Sequence, residues 1–281
     1  MRIAVTGAAG LLGSSLSRLL RGRHDCWPLS HSDLDVTDGD AVCQGLSELE
    51  PEAVLHCAAY THVDGAERDE ARAMEVNAKG AEYVARAARR VGALMVYVST
   101  DYVFDGEKAA PYREEDPPRP RSRYGLSKLE GERRVAEVNP ADHLIVRTAW
   151  LYGSGKGFVD WLCRRLDVGE PVRLVADQVG SPTWAPDLAE ALLCLVENGQ
   201  RGIFHFVNKG ETSWLDFGRA VAELTGHPEA RIEAVAATDL GRPAPRPDYS
   251  VLAVEKFEKA TGRSVPSWRD ALGRCLGSRA A

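Results

Sequence analysis

Tyr124 and Lys128 stand four residues apart in the stretch YGLSK. On a helix that spacing puts both side chains on one face. An ammonium beside a phenol stabilises the phenolate and lowers the tyrosine pKa toward the working pH. A phenol tuned in this way delivers a proton to a developing alkoxide. The lysine can also hold a ribose hydroxyl. A YxxxK pair alone is commonplace and usually solvated, so its company decides. Upstream, VSTDYVFDG (residues 98–106) is an apolar run that ends in Ser99 and Thr100. A hydroxyl donor at the end of a core strand polarises a substrate carbonyl and stabilises the oxyanion formed as hydride arrives. A plain strand-end cap is the other reading of the same hydroxyls.

The third group is a glycine turn. VTGAAGLLG places Gly7, Gly10 and Gly13 between a first strand and an amphipathic helix, with GxxGxxG spacing rather than GxGxxG. Glycines permit the tight turn and let backbone N–H groups reach a pyrophosphate at the positive helix end. The second strand, DCWPLS, should end near the adenosine ribose. Ser30, His31 and Ser32 stand there, with no carboxylate before Asp33. That leaves room for a 2′-phosphate and favours NADPH mildly, NADH remaining possible, since no arginine accompanies the serines. Asp35 and Val36, after a further short strand, are candidates for the adenine edge; a helix N-cap around DVTDGD explains them equally.

These residues need a parallel sheet beneath them. Apolar, β-branched runs (RIAVTG, AVLHCAA, LMVYVST, HLIVRTAW) alternate with helical patterns, among them one long helix over 67–92 and YGLSKLEGERRVAEV. The alternation predicts an α/β fold, a Rossmann-type doubly wound parallel sheet with helices on both faces. Residues 1–152 form the expected NAD(P)-binding domain. Residues 153–281, dense in Gly and Pro, form a smaller C-terminal substrate-binding lobe, with a part over 181–206 returning to the first domain. The proline-rich loop KAAPYREEDPPRPRSR is long enough to be functional.

A formal net charge of −6 argues against a nucleic-acid partner held by bulk electrostatics. Six cysteines lie scattered without a CxxC, several inside apolar runs, which favours a reducing compartment. The opening MRIAVTG reads as no signal peptide, and no apolar run approaches ~20 residues, so a cytoplasmic protein without a membrane partner is expected. The histidines, His56, His62 and His205 among them, show no ligand spacing, and no metal is expected. Arg119, Arg121 and Arg123, with Arg242 and Arg246, either clamp a nucleotide diphosphate or keep the surface soluble.

The chain resembles the extended short-chain dehydrogenase/reductases and, within them, the dTDP-4-dehydrorhamnose reductase family. The matching stretches run nearly end to end: VTGAAGLLG, AAYTHVDGAE, VNAKGAEYVARAA, YVSTDYVFDG, YGLSKLEGE, IVRTAWLYG, DQVGSPTWAPDLA and RPDYSVL. The resemblance implies Thr100, Tyr124 and Lys128 as the catalytic trio. It implies cofactor contacts at Leu11, Leu12, Ala58, Ala59, Tyr60, Asn77 and Ser99, beside the glycines. On the substrate side it implies Val63, Asp101, Tyr102, Trp150 and Arg246, with Asp64 near Val63. A sugar-stacking Trp makes physical sense, though core packing is an even alternative from sequence. The implied reaction is NADPH-dependent reduction of the 4-keto group of a nucleotide-activated deoxysugar. A sugar dehydratase would follow the Thr with Asp-Glu, whereas Asp101 is followed by Tyr102. A non-catalytic binding module, like the methionine adenosyltransferase regulatory subunit, is the rival from another class. Relatives that dimerise through magnesium carry glutamates where this chain has Ser15 and Pro186. A monomer or a magnesium-independent homodimer is therefore expected.

Overall fold

The computed structural model describes residues 1–153, 155 and 157–280. The first half runs β1 (Arg2–Thr6), α1 (Leu11–Leu20), β2 (Asp25–Leu29), α2 (Gly39–Leu49), β3 (Ala53–His56), α3 (Val63–Arg68), α4 (Glu70–Met74) and α5 (Ala81–Arg90). It continues with β4 (Leu94–Thr100), α6 (Arg123–Val138) and β5 (His143–Thr148). After β6 (Leu151–Tyr152) come α7 (Phe158–Asp167), β7 (Val172–Val175), β8 (Val179–Gly180), β9 (Thr183–Trp184), α8 (Ala185–Glu197) and β10 (Gly202–His205). The last elements are β11 (Thr212–Ser213), α9 (Trp214–Leu224), β12 (Ile232–Val235), α10 (Glu255–Thr261) and α11 (Trp268–Ala280).

One six-stranded sheet, ordered β10-β5-β4-β3-β1-β2, carries the molecule, and every pairing in it is parallel. The strands are hydrophobic on both faces because both faces are covered. Ile3 and Val5 of β1 point into one core with Leu16 and Leu20 of α1 and Leu188 and Leu192 of α8. Ala4 between them points into the other, with Val42 and Leu46 of α2 and Val84 and Ala88 of α5. Leu94 and Val96 against Met95 and Tyr97 repeat the alternation on β4. Each fully buried Leu contributes about 1.5–3 kcal/mol. Pro28, which has no N–H to offer, sits in β2 at the sheet edge, where the ladder does not need one. The chain leaves β1 for β2 on one side and reaches β3 on the other, so a crevice opens where the order reverses.

The second lobe has its own core. Val159, Leu162, Phe217, Val221 and Leu272 pack between α7, α9 and α11, over the short pairs β7–β12 and β8–β11. The chain between these elements returns to the sheet, with α8 packed on α1 and β10 beside β5.

Two expected elements differ. The long helix over 67–92 breaks at Asp69, whose carboxylate accepts the Arg72 N–H, and passes through a π-helical turn at Glu75–Gly80 before α5. The strand expected before Asp35 does not form. Asp33 accepts both the N–H and the hydroxyl of Ser30, and Asp35 accepts those of Thr37, so local turns replace a ladder.

Candidate active site

Two adjoining clefts of about 370 and 380 Å³ open at the carboxyl ends of the strands. They share Gly7, Gly10, Cys57 and Ala59, so one elongated ligand spans both. The shared wall is the glycine turn. Gly7 has φ +68°, and a Cβ there would stand 2.6 Å from Ala58 N, so only glycine lets β1 and β3 approach this closely. Gly10 opens α1 with no side-chain cap, and Leu11, Leu12 and Gly13 of its first turn line the cleft. An uncapped helix start facing a cleft suits an anion.

One end of the cleft is lined by His31, Asp35, Val36, Ala58, Tyr60 and Arg72. Arg72 is the arginine that the sequence around Ser30 lacks. It arrives from α4, and no local signal near β2 could have announced it. Ser30 is not in the wall, being held by Asp33. Asn77 is a correction too. It is fully buried, and its amide is engaged by the Tyr60 backbone and the Ser127 hydroxyl, so it pins the cleft wall from behind.

At the other end Ser99 and Thr100 from β4, and Asp101 in the turn after it, meet Tyr124 and Lys128 from α6 and Trp150 after β5. The pairing register places Thr148 beside Thr100, one strand over. Thr148 was not singled out from the sequence, although it ends a core strand just as Thr100 does. Ser99 Oγ and Thr148 Oγ1 are buried and meet no hydrogen-bond partner, and both residues line this end of the cleft. Orphaned buried hydroxyls are costly, so the site carries an unmet polar demand beside the cavity.

Thr100 serves both readings at once: its Oγ1 accepts the Tyr102 N–H at 3.2 Å and donates to Asp101 Oδ1 at 3.0 Å while lining the cleft. Burial pushes the Asp101 carboxyl up to about 6, against hydrogen bonds from Ser250 and Thr100 that favour its charge. The Tyr124 phenol moves opposite to the sequence expectation. Burial raises it to about 12, the Thr100 hydroxyl opposing and the Asp101 charge adding. Burial likewise depresses Lys128 to about 7, partly offset by Glu132 and Cys57. The Lys128 Nζ lies 4.0 Å from the Tyr97 ring centroid, a cation–π contact that compensates some of the lost water. Desolvation outweighs the mutual effect of the pair.

The remaining candidates lie outside the walls of these clefts. Tyr102 packs edge-on against Tyr124 at 5.7 Å. Val63 opens α3 beside Asp64. Arg246 is clamped in both directions by Asp64, at 3.0 and 2.8 Å, so its fork is already occupied by a carboxylate. Arg119, Arg121 and Arg123 are exposed, and Arg123 pairs with Glu70 at 3.1 Å. Ser15 and Pro186 face one another between α1 and α8, with Arg18 and Glu190 beside them.

The family model described as the RmlD substrate binding domain matches residues 1–280. The dTDP-4-dehydrorhamnose reductase of Streptomyces griseus is 43% identical over 96% of this chain and 91% of its own length. A solved dTDP-4-dehydrorhamnose reductase from Clostridium acetobutylicum superposes with a TM-score of 0.97 at 39% identity, covering 100% of both chains. One from Bacillus anthracis, solved in complex with NADP, superposes with a TM-score of 0.96 at 37% identity, covering 99% of each.

Proposed function

Because the chain belongs to the dTDP-4-dehydrorhamnose reductase family, we propose that it reduces the 4-keto group of a dTDP-activated deoxysugar with NADPH. The observation that carries this is the convergence of Thr100, Tyr124 and Lys128 in a cleft continuous with the glycine turn. The site fits a dinucleotide. The α1 N-terminus would receive the pyrophosphate, Asp35 and Val36 would border the adenosine, and the Arg72 guanidinium, which pairs with Glu75 at 2.6 Å, brings positive charge to that end of the cleft. The orphaned Ser99 and Thr148 hydroxyls supply donors and acceptors at the reactive end.

When bound, the reduced nicotinamide supplies the hydride. Thr100, by turning its hydroxyl away from Asp101 Oδ1, and Tyr124 would donate to the carbonyl oxygen, and Tyr124 hands over its proton as negative charge develops there. A phenol held near 12 is fully protonated at neutral pH, the form a reductase needs, and an alkoxide is basic enough to take its proton. Lys128 in its charged form holds the cofactor ribose and stabilises the phenolate that remains. Asp101 is the lone carboxylate at this end of the cleft among the described residues, so an acid–base carboxylate pair for elimination is missing.

Val63 and Tyr102 stand outside the cleft walls, Tyr102 packed edge-on against Tyr124, and in this reading they support the sugar side from behind. The second lobe closes over the sugar, and the first holds the cofactor. The protein works in a reducing cytoplasm, as its scattered cysteines without a CxxC favour, and no described helix is long and apolar enough to cross a membrane. It is a monomer or a dimer indifferent to magnesium.

A panel of dTDP-4-keto-6-deoxy sugars, followed by cofactor absorbance, tests the reading together with titrations of NADPH and NADH. Wild type turns over at least one such sugar and binds NADPH at least as tightly as NADH. Tyr124→Phe lowers turnover about 10²–10⁴-fold with cofactor affinity unchanged. Full activity in Tyr124→Phe, or no turnover of any such sugar by wild type, defeats it.

A further inference from the structure

Trp150 lies at φ +44°, a left-handed backbone that a bulky residue adopts only under constraint. The constraint comes from the second lobe. The Trp150 indole stacks face to face on Trp214, with ring centroids 3.8 Å apart and planes 11° from parallel. A Cβ on Gly180 would stand 2.6 Å from Trp150 Cε2, so β8 lies directly against the indole edge. Gly180 pairs with Thr212 in the β8–β11 strip, and Trp214 follows the end of β11 as the first residue of α9. One strip of backbone therefore delivers both contacts. Phe158, at the start of α7, braces Trp214 at 4.8 Å and stacks on Phe217 behind it. On the near side the Trp150 carbonyl accepts the Thr183 N–H at 3.2 Å. Trp150 lines the reactive end of the cleft, whereas Trp214 stands behind it.

We propose that Trp214 is a positioning residue for the sugar. It holds Trp150 in its strained conformation as a fixed wall of the substrate site, and so couples the second lobe to substrate selection. The inference rests on the reading that the reactive end of the cleft takes the keto sugar. With one face stacked on Trp214, Trp150 still lines the reactive end of the cleft, where a ligand meets it. An indole free to turn would have to be ordered by each arriving substrate, whereas a pre-stacked one is ordered in advance. Removing the brace therefore acts on sugar binding. The hydride and proton steps, which depend on Thr100, Tyr124 and Lys128, keep their geometry.

The test compares wild type with Trp214→Leu, which keeps apolar bulk without the ring, and Trp214→Phe, which restores a ring. Near-ultraviolet circular dichroism reads the coupled indoles directly. Steady-state kinetics with the keto sugar that wild type turns over, and titration with NADPH, read the consequence. Trp214→Leu loses the indole couplet and raises KM for the sugar by about two- to tenfold, the scale of an aromatic pair. Its kcat stays within about threefold and its NADPH affinity is unchanged, and Trp214→Phe recovers most of the KM. An unchanged KM in Trp214→Leu overturns the inference. So does a joint fall of kcat and NADPH affinity that Trp214→Phe does not rescue, since that marks a merely structural role. Wild type inactive on every dTDP keto sugar removes the functional reading and this inference with it, whereas active wild type with an unaffected variant removes this inference alone.

Discussion

Lys128 shows how much burial decides at the scale of one residue. The YxxxK spacing suggested an ammonium that lowers the tyrosine. In the fold both groups are desolvated, the phenol rises to about 12 and the amine falls to about 7. Two groups at this end of the cleft are thus brought toward neutrality, the Asp101 carboxyl at about 6 and the Lys128 amine at about 7, and of the two only the lysine loses a positive charge as pH rises. Its charged form exists below about 7 and is lost above, so any step that needs the cation weakens as pH rises. For wild type, kcat/KM for NADPH is expected to decline above about pH 7, because that quantity reports the free enzyme. In Lys128→Arg the guanidinium stays charged, and the decline moves to higher pH even if the absolute rate falls. A wild-type profile flat through neutrality, or one that Lys128→Arg leaves in place, would show that another group sets the limb.

At the scale of elements, α6 has to lie very close to its neighbours for Tyr124 and Lys128 to reach the cleft. A Cβ on Gly131 would stand 2.3 Å from both the Asn77 carbonyl oxygen and the Tyr97 hydroxyl. Those atoms already bond one another, Tyr97 donating to the Asn77 carbonyl at 2.8 Å. The π-helical turn at Glu75–Gly80 carries Asn77 into this junction, where its side chain ties the Tyr60 backbone to Ser127 of α6. Gly131→Ala must push α6 outward or break the Tyr97 bond. Overpacking of this kind costs about 1–3 kcal/mol, and it acts on the helix that carries both Tyr124 and Lys128. The expected result is a lower urea midpoint together with reduced turnover. Unchanged stability and activity would show that α6 has slack the geometry does not suggest.

For the whole molecule, the open question is assembly. The two positions where magnesium-linked relatives carry glutamates hold Ser15 and Pro186, and these lie together between α1 and α8. Arg18 shares the same shallow pocket, so the local charge is unfavourable for a divalent cation, with Glu190 the one carboxylate in its lining. Sedimentation with and without a chelator should therefore give the same species. A chelator-induced loss of a dimer would mean that other carboxylates ligate the ion. Within one chain, the lobes are joined by Asp64 of α3 and Arg246 of the C-terminal segment, a partly buried pair bridging 182 residues of sequence.

The local patterns were enough to determine the sheet, and they supplied the candidates for the chemistry of the site. Alternating apolar runs demand parallel strands covered on both faces, a glycine turn after the first strand demands a close backbone approach, and a hydroxyl at a strand end with a YxxxK helix states the reaction class. Those features depend on neighbours in sequence or on a single period, so they can be read directly. What only the tertiary structure decided involves groups brought together from afar. Arg72 reaches the ribose end of the cleft from α4, Thr148 gains its place beside Thr100 through strand register, and Asn77 turns away to serve Tyr60. The direction of the Tyr124 and Lys128 shifts is likewise set by desolvation, and the Arg246 guanidinium is taken by Asp64. Burial and long-range pairing are properties of the packed molecule, and no spacing along the chain encodes them.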